Sequence, residues 1–195
     1  MAAPPTKNIG DLSGKWTMNK SQSNPLEPAL ALQGIGWLTR KAVGIATFTL
    51  DVKHYTGPPS PPADPSAPAV AHIEIDQLGT GGIKGTTEKR CLDNQFREHS
   101  DWLFGHVRGQ TRWIDLPEIS DEFLKSGWLD TDAEKGGPNG EKHLISYVES
   151  LDNGWTATQI WGFKEVEGLR KYVRNVVVAK GTERVEIQLV YDWAA

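Results

Sequence analysis

The sequence is poor in cysteine, in long apolar runs and in surplus positive charge. Cys91 is the single cysteine among 195 residues, which excludes an internal disulfide and every metal motif built from several cysteines, and suits a reducing compartment. No apolar run reaches the roughly 18 residues of a membrane-spanning helix, and the first residues do not resemble a signal peptide. With 21 Lys and Arg against 25 Asp and Glu, the net charge of -4 gives no attraction for nucleic acid. We therefore expect a cytoplasmic protein with no nucleic-acid partner and no stable membrane insertion.

Motifs for metals, cofactors and nucleophilic catalysis are missing as well. The five histidines lack the spacing of metal ligands, and the glycine-rich run at residues 79–87 lacks the Gly-Lys-Ser/Thr ending of a phosphate loop. No zinc signature, dinucleotide fingerprint or nucleophile elbow occurs. We expect no metal and no cofactor, so any catalysis would depend on the shape and the hydrogen-bonding groups of a cavity.

Alternating apolar and polar residues predict ten β-strands, a number that is sufficient to close a barrel. The last four strands are separated by short turn sequences, among them Asp152-Asn153-Gly154 and Val166-Glu167-Gly168. The predicted strands span residues 13–20, 47–55, 69–77, 83–92, 95–104, 106–114, 143–151, 155–165, 169–180 and 184–193.

Other segments interrupt or precede this pattern. Two short helices are predicted within residues 24–45, where Leu38, Ala42 and Ile45 recur at helical spacing and indicate an apolar stripe. Residues 57–68 contain six prolines and predict an extended loop. Residues 117–141 predict a short helix, which is interpreted either as a surface decoration or as a flap over one barrel end. Residues 1–11 are expected to be a flexible leader.

The order of these features resembles the intracellular fatty-acid-binding proteins of the calycin, or lipocalin-like, superfamily. The resemblance is carried by Gly14-Lys15-Trp16 in the first strand, by the two short helices, and by the run Gly36-Trp37-Leu38-Thr39-Arg40-Lys41. It covers roughly residues 12–193 apart from the two insertions. It implies an all-β fold with one domain: a ten-stranded antiparallel up-and-down β-barrel, or β-clam, with a two-helix lid over a cavity for one hydrophobic small molecule.

The resemblance also implies where a ligand would lie. In this family two arginines and a tyrosine hold a carboxylate; Tyr191 matches the tyrosine, whereas the arginine positions fall on Trp161 and Leu189. Loss of both arginines argues against a free fatty acid and favours a neutral hydrophobic ligand, such as a polyketide- or terpenoid-like metabolite. The ligand-binding residues implied are Trp37 and Leu38 in the lid and Ile145, Tyr147, Glu149, Gln159, Trp161, Ile187, Leu189 and Tyr191 on the strands.

Two functions fit such a cavity equally well, because storing and orienting a molecule require the same residues. The first is a carrier of the hydrophobic molecule. The alternative is a cofactor-independent cyclase or isomerase of the pericyclase kind, for example a Diels-Alder catalyst, with Tyr191, Glu149 and Tyr147 as catalytic residues and Glu149 as general acid or base. A third interpretation is a delivery protein that docks through Arg40 and Lys41. The oligomeric state is left open.

Overall fold

The computed structural model describes residues 1–64 and 66–194, with the backbone alone at Lys84. Pro65, which belongs to the predicted proline-rich loop, and Ala195 lie outside the described residues. The elements run β1 (Gly14–Met18), α1 (Glu27–Leu32), α2 (Trp37–Ile45), β2 (Phe48–Gly57), β3 (Val70–Gly79), β4 (Lys84–Cys91), β5 (Arg97–Asp101), β6 (Gly105–Ile114), α3 (Glu122–Lys125), β7 (His143–Ser150), β8 (Thr156–Val166), β9 (Leu169–Lys180) and β10 (Glu183–Trp193).

The ten strands form one antiparallel sheet that curls into a nearly closed barrel. Their order is β4-β3-β2-β1-β10-β9-β8-β7-β6-β5, so each strand pairs with its neighbours in sequence and β1 pairs with β10. Strands β4 and β5 form the two ends of the sheet, and β4 lies against β6 where the barrel comes together. The predicted all-β, up-and-down barrel with a two-helix lid is confirmed.

One end of the barrel is filled by an aromatic plug, which consists of Trp16, Phe163, Tyr172 and Trp193. The Trp16 ring centroid lies 5.3 Å from that of Tyr172 and 4.8 Å from that of Trp193. Trp16 is fully buried and its Nε1 donates to the Leu12 carbonyl. Gly14 has a φ of +123°, and a β-carbon there would clash with the Trp193 indole. The Gly-x-Trp motif of β1 therefore permits the plug to pack.

The two helices cover the opposite end of the barrel. Leu30 of α1 and Val43 of α2 are buried against Phe48. The predicted apolar stripe of α2 is wrong, since Leu38 is 75 % exposed and Ile45 is 81 % exposed. Val43 is one residue along from Ala42 and thus about 100° around the helix axis, so the helix rests on the barrel by a different face. None of the described helices is long and apolar enough to cross a membrane.

The 117–141 segment covers the outer wall of the barrel. Leu124 and Trp128 are buried against Ile160, Val173 and Val177, which project outward from β8 and β9. Because this apolar surface would otherwise face water, its burial stabilises the barrel from outside. The first part of the segment thus lies on the outer wall, whereas Glu134 and Lys135, farther along, contact Arg170 and Asn8 at the plugged end. The interpretation as a flap over a barrel end therefore fits only the last part of the segment.

Residues 1–11, expected to be flexible, instead pack at the plugged end. Ala3 and Ile9 are buried in the main core. The guanidinium of Arg170 forms an ion pair with the buried carboxylate of Glu134, at 2.6 Å, and donates to the Lys7 carbonyl at 2.8 Å. Composition alone does not show that this polar segment has a half-buried arginine partner on β9.

Candidate functional site

A cavity of about 480 Å³ lies between the helical lid and the aromatic plug. This volume is within the range of sites for small organic molecules. Most of its wall is apolar, and the lid contributes to it from both helices. The apolar residues that line it include Met18, Leu26, Ala29, Leu30, Val43, Phe48, Val107, Val148, Trp155, Ala157, Val176, Val178, Ile187 and Leu189.

Next to the plug, polar side chains form what we call the polar floor: Gln77, Glu88, Arg90, Arg174 and Tyr191. All five line the cavity, whereas Trp16, Phe163 and Tyr172 of the plug are fully buried in the core. The Glu88 carboxylate accepts hydrogen bonds from Gln77 Nε2 at 2.7 Å and from Arg90 Nη2 at 2.8 Å. Burial by itself raises the pKa of Glu88, but the charges of Arg90 and Arg174 outweigh it and lower this pKa to about 2. Glu88 is therefore an anion at neutral pH.

Arg174 is the most deeply buried cation of the polar floor, with a side chain that is 4 % exposed. Its Nε donates to the Tyr172 hydroxyl at 2.9 Å, and its Nη1 lies 3.6 Å from Glu88 Oε1. Its guanidinium carbon is 3.9 Å from the centroid of the Trp161 ring, a cation–π contact. Burial opposes the charged form, but the neighbouring Tyr172, Tyr191 and Glu88 outweigh burial and raise the pKa of Arg174. No acceptor in residues 1–64 or 66–194 reaches the buried Nη2 atom.

Two further polar groups adjoin Arg174. Burial raises the pKa of the Tyr191 hydroxyl, despite the opposing charge of Arg174, so this group is a neutral donor. Gln159 accepts a hydrogen bond from Trp161 Nε1 at 3.0 Å through its amide oxygen, and its NH₂ group is thus the part that can donate. Both side chains line the cavity.

The predicted site residues on β8 and β10 have the expected orientation, with one difference. Gln159, Ile187, Leu189 and Tyr191 line the cavity. Trp161 is fully buried behind the guanidinium of Arg174. Whether these residues bind a ligand stays a prediction.

The two residues predicted in the lid lie at the start of α2 but face away from the cavity. Trp37 is 64 % exposed, and Leu38 borders a small surface depression beside Ile83 and Trp102. Val43, on another face of the same helix, takes the position at the cavity wall.

The orientation predicted for β7 is wrong by one residue. Ile145 packs in the outer apolar cluster beneath the 117–141 segment. Glu149 forms an ion pair with Arg108 and accepts a hydrogen bond from the Tyr147 hydroxyl, and the Arg108 guanidinium lies over the exposed ring of Phe96. Ile145, Tyr147 and Glu149 therefore belong to the outer surface of the barrel.

The register of the sheet explains this correction. Leu144 pairs with Trp161, and Ser146 pairs with Gln159, so the even-numbered residues of β7 face the interior. Val148 occupies the cavity wall at the level where Glu149 was predicted. Both faces of β7 are partly apolar because the insertion covers the outer one, and alternation alone does not distinguish them.

Sequence reasoning missed Glu88, Arg90 and Arg174, and so underestimated the polarity of the cavity. The turn sequences on either side of β9 do indicate that Arg174 faces the interior. The turn between Lys180 and Glu183 sets Arg174 opposite Leu189, and the turn between Val166 and Leu169 sets it opposite Trp161. The guanidinium thus lies on the strand between the two positions where arginines were expected.

Solved structures with the same architecture show the fold. The lipid binding protein 8 of Caenorhabditis elegans superposes with a TM-score of 0.58 at 13 % identity, covering 97 % of this chain and 99 % of that protein. The fatty acid binding protein of Schistosoma mansoni, solved with arachidonic acid, superposes with a TM-score of 0.54 at 12 % identity, covering 97 % of this chain and all of that protein. The chain has the calycin fold of fatty-acid-binding proteins.

Comparison at the level of sequence points to more similar relatives. A protein of Mollisia scopiformis named "Probable pericyclase scpY" is 28 % identical over 193 residues, which is 98 % of this chain and 94 % of that protein. The pericyclase pydY of Acremonium sp is 29 % identical over 195 residues, 99 % of this chain and 97 % of that protein. No protein-family model matches the chain. Within the described residues, no cluster of three or more His, Cys, Asp or Glu side chains could hold a metal ion.

Proposed function

We propose that this protein binds one hydrophobic small molecule in the cavity of its calycin barrel. The observation that carries the proposal is an apolar cavity of about 480 Å³ between the helical lid and the polar floor. An apolar wall with a few polar groups is typical of sites for small organic molecules. A polyketide- or terpenoid-like metabolite fits this description better than a free fatty acid, because both arginines of the floor are already paired with the carboxylate of Glu88.

The remaining aspects of the proposal follow from the sequence. We propose that the whole chain forms one domain, that the protein is located in the cytoplasm, and that it binds no nucleic acid.

Binding is tested with Nile red, a neutral dye that fluoresces in apolar surroundings. We expect one saturable site, which is lost when the wall is filled by Val148→Trp. The adjacent Tyr147→Trp, which faces outward on the same strand, is the matched control and should leave the affinity within about twofold. Absence of saturable binding to the wild-type protein would refute the proposal. If the dye binds, native mass spectrometry of the protein purified from its own cells identifies the co-purifying ligand.

Pericyclic catalysis is the second candidate, and the two full-length relatives named as pericyclases favour it. A pericyclic ring closure requires no redox group and no covalent intermediate. It is accelerated when the reacting carbons of one molecule are held close and aligned. A rigid barrel wall with a small number of hydrogen-bond donors can supply both the alignment and some stabilisation of developing charge. Of the three residues predicted to be catalytic from the sequence, Tyr191 is the one whose side chain lines this cavity.

An enzyme is distinguished from a carrier by whether the protein accelerates the cyclisation of a bound test triene. 1,7,9-Decatrien-3-one closes slowly by itself to a bicyclic ketone, an isomerisation with no other reactant. Once displacement of Nile red has established that the triene binds, an enzyme should increase its rate of closure and change the ratio of diastereomers. A carrier should leave both the rate and the ratio at their solution values.

A further inference from the structure

The polar floor contains more positive than negative charge. Arg90 and Arg174 face the cavity with Glu88 as the one carboxylate that both approach, at 2.8 and 3.6 Å. The hydrogen bonds to Glu88 come from Gln77 and Arg90. Arg174 is held by a longer contact to the same carboxylate, so its charge is only partly compensated.

Arg174 also has one nitrogen that lacks an acceptor in the described part of the chain. Its Nε is engaged by the Tyr172 hydroxyl and its Nη1 is directed towards Glu88, whereas Nη2 is buried without a partner. A buried donor that gives up water without gaining a hydrogen bond is destabilising, and more so when it is charged. A partner from outside the chain would remove this penalty.

We infer that the guanidinium of Arg174, which lines the cavity and has one nitrogen without an acceptor in the described residues, binds a single carbonyl-type oxygen of the ligand, either a neutral ketone or the enolate of a 1,3-dicarbonyl. This inference rests on the proposed binding function and names the chemical class of the molecule bound. The hydrophobic part of the molecule lies along the apolar wall, and its oxygenated end lies on the polar floor.

The geometry favours one oxygen over a carboxylate. A carboxylate binds a guanidinium best through two parallel hydrogen bonds from two nitrogens. Here Nε and Nη1 are already directed at Tyr172 and Glu88, so one nitrogen remains. A carbonyl oxygen requires one donor and carries no full charge unless it is enolised.

The neighbouring side chains suit the same role. Arg174 pairs with Trp161 and Leu189 across its two neighbouring strands, and Gln159 and Tyr191 are each two residues from these positions. Such diagonal neighbours in a sheet lie about 7–8 Å apart, within reach of long side chains. In a ring closure that is conjugated to a carbonyl, electron density increases on the oxygen, and a fixed guanidinium there stabilises the transition state more than the ground state.

The test uses competitors that share one octyl-substituted cyclohexane skeleton. Displacement of Nile red is measured for octylcyclohexane, 2-octylcyclohexanone, 2-octylcyclohexane-1,3-dione and 4-octylcyclohexanecarboxylate. We expect the ketone to bind about tenfold more tightly than the hydrocarbon, as a hydrogen bond to a charged donor implies. The dione, which is an enolate at neutral pH, should bind most tightly of the four.

Two variants change the floor in opposite directions. Arg174→Met should reduce the affinities for the ketone and the dione to that for the hydrocarbon, while Nile red still binds. Glu88→Gln removes the competing anion and should tighten binding of the dione severalfold. Arg174→Lys, which keeps the charge without the guanidinium, replaces Arg174→Met if the latter does not fold; it should lose most of the preference for the ketone. Arg108→Met, an arginine on the outer surface, is the matched control and should change nothing.

Each outcome has one meaning. If the wild-type protein does not bind Nile red, the proposed function fails. If it binds Nile red but does not distinguish ketone from hydrocarbon, or if Arg174→Met keeps that distinction, the inference is wrong and the proposed function stands. Tightest binding of the carboxylate would also overturn the inference. A purely structural role for Arg174 would change all four affinities in parallel.

Discussion

Arg174 and Glu88 meet across the interior of the barrel, with 3.6 Å between Nη1 and Oε1. Their strands, β9 and β4, are separated by four other strands in the sheet. The contact is therefore a consequence of barrel closure, and it places a partly compensated charge pair next to an apolar cavity. Because a buried charge that loses its partner is strongly destabilising, this pair connects the stability of the fold with the chemistry of the site.

Acid should weaken the fold through Glu88. Its pKa is lowered from an ordinary 4.5 to about 2, so the folded state prefers the carboxylate. The resulting stability is present above about pH 4.5 and is lost as the pH falls towards 2; its upper limit is about 3 kcal/mol. Urea unfolding at a series of pH values should show this loss in the wild-type protein and a smaller one in Glu88→Gln. Parallel curves for the two proteins would contradict the assignment.

His143 should also make the fold less stable in acid, but at higher pH values than Glu88. Its ring is fully buried against Trp128, and burial lowers its pKa from 6.5 to about 4. In the unfolded chain His143 is protonated near pH 6.5, whereas in the folded chain it stays neutral down to about pH 4. The free energy of unfolding therefore decreases as the pH falls from about 6.5 to 4, by up to about 3 kcal/mol. In His143→Leu this decrease should disappear, as measured by urea unfolding between pH 7 and 4.5. A decrease of the same size in the variant would show that other groups cause it.

Trp128→Ala should lower stability without changing the cavity. The indole is buried on the outer wall, its Nε1 donates to the Leu124 carbonyl at 2.8 Å, and the ammonium of Lys164 lies 4.5 Å from its ring. Loss of this packing should reduce the free energy of unfolding by about 3 kcal/mol. Nile red should bind to the folded variant with wild-type affinity. A large loss of affinity would mean that the 117–141 segment does contribute to the cavity.

Glu149→Gln should leave ligand affinity and any cyclisation rate unchanged, since its carboxylate forms an ion pair with Arg108 on the outer surface. Tyr191→Phe removes one hydrogen-bond donor of the polar floor and should weaken binding of 2-octylcyclohexanone by a few fold, the effect of one hydrogen bond. Displacement titrations on both variants check this. If Glu149→Gln weakened binding and Tyr191→Phe did not, the inward orientation of Glu149 predicted from the sequence would be correct.

The β7 and β9 strands show where sequence reasoning succeeds and where it stops. Both strands were located, and the inward positions on β8 and β10 were identified, because turns and alternation are local signals. On β9 every residue from Lys171 to Val178 is buried, so no polar side marks the orientation of Arg174. Only the register that the two adjoining turns set, opposite Trp161 and Leu189, gives that orientation.

The amino-acid sequence by itself determined the ten strands, their order, the Gly14–Trp16 motif and the two-helix lid, because alternation, turns and glycine conformations act over a few residues. Tertiary structure alone decided which face of β7 lines the cavity, since the 117–141 segment buries the other face as well. It also decided that Glu88, Arg90 and Arg174 converge. Residues so far apart in the chain meet only when the curled sheet brings β4 and β9 to opposite sides of one interior.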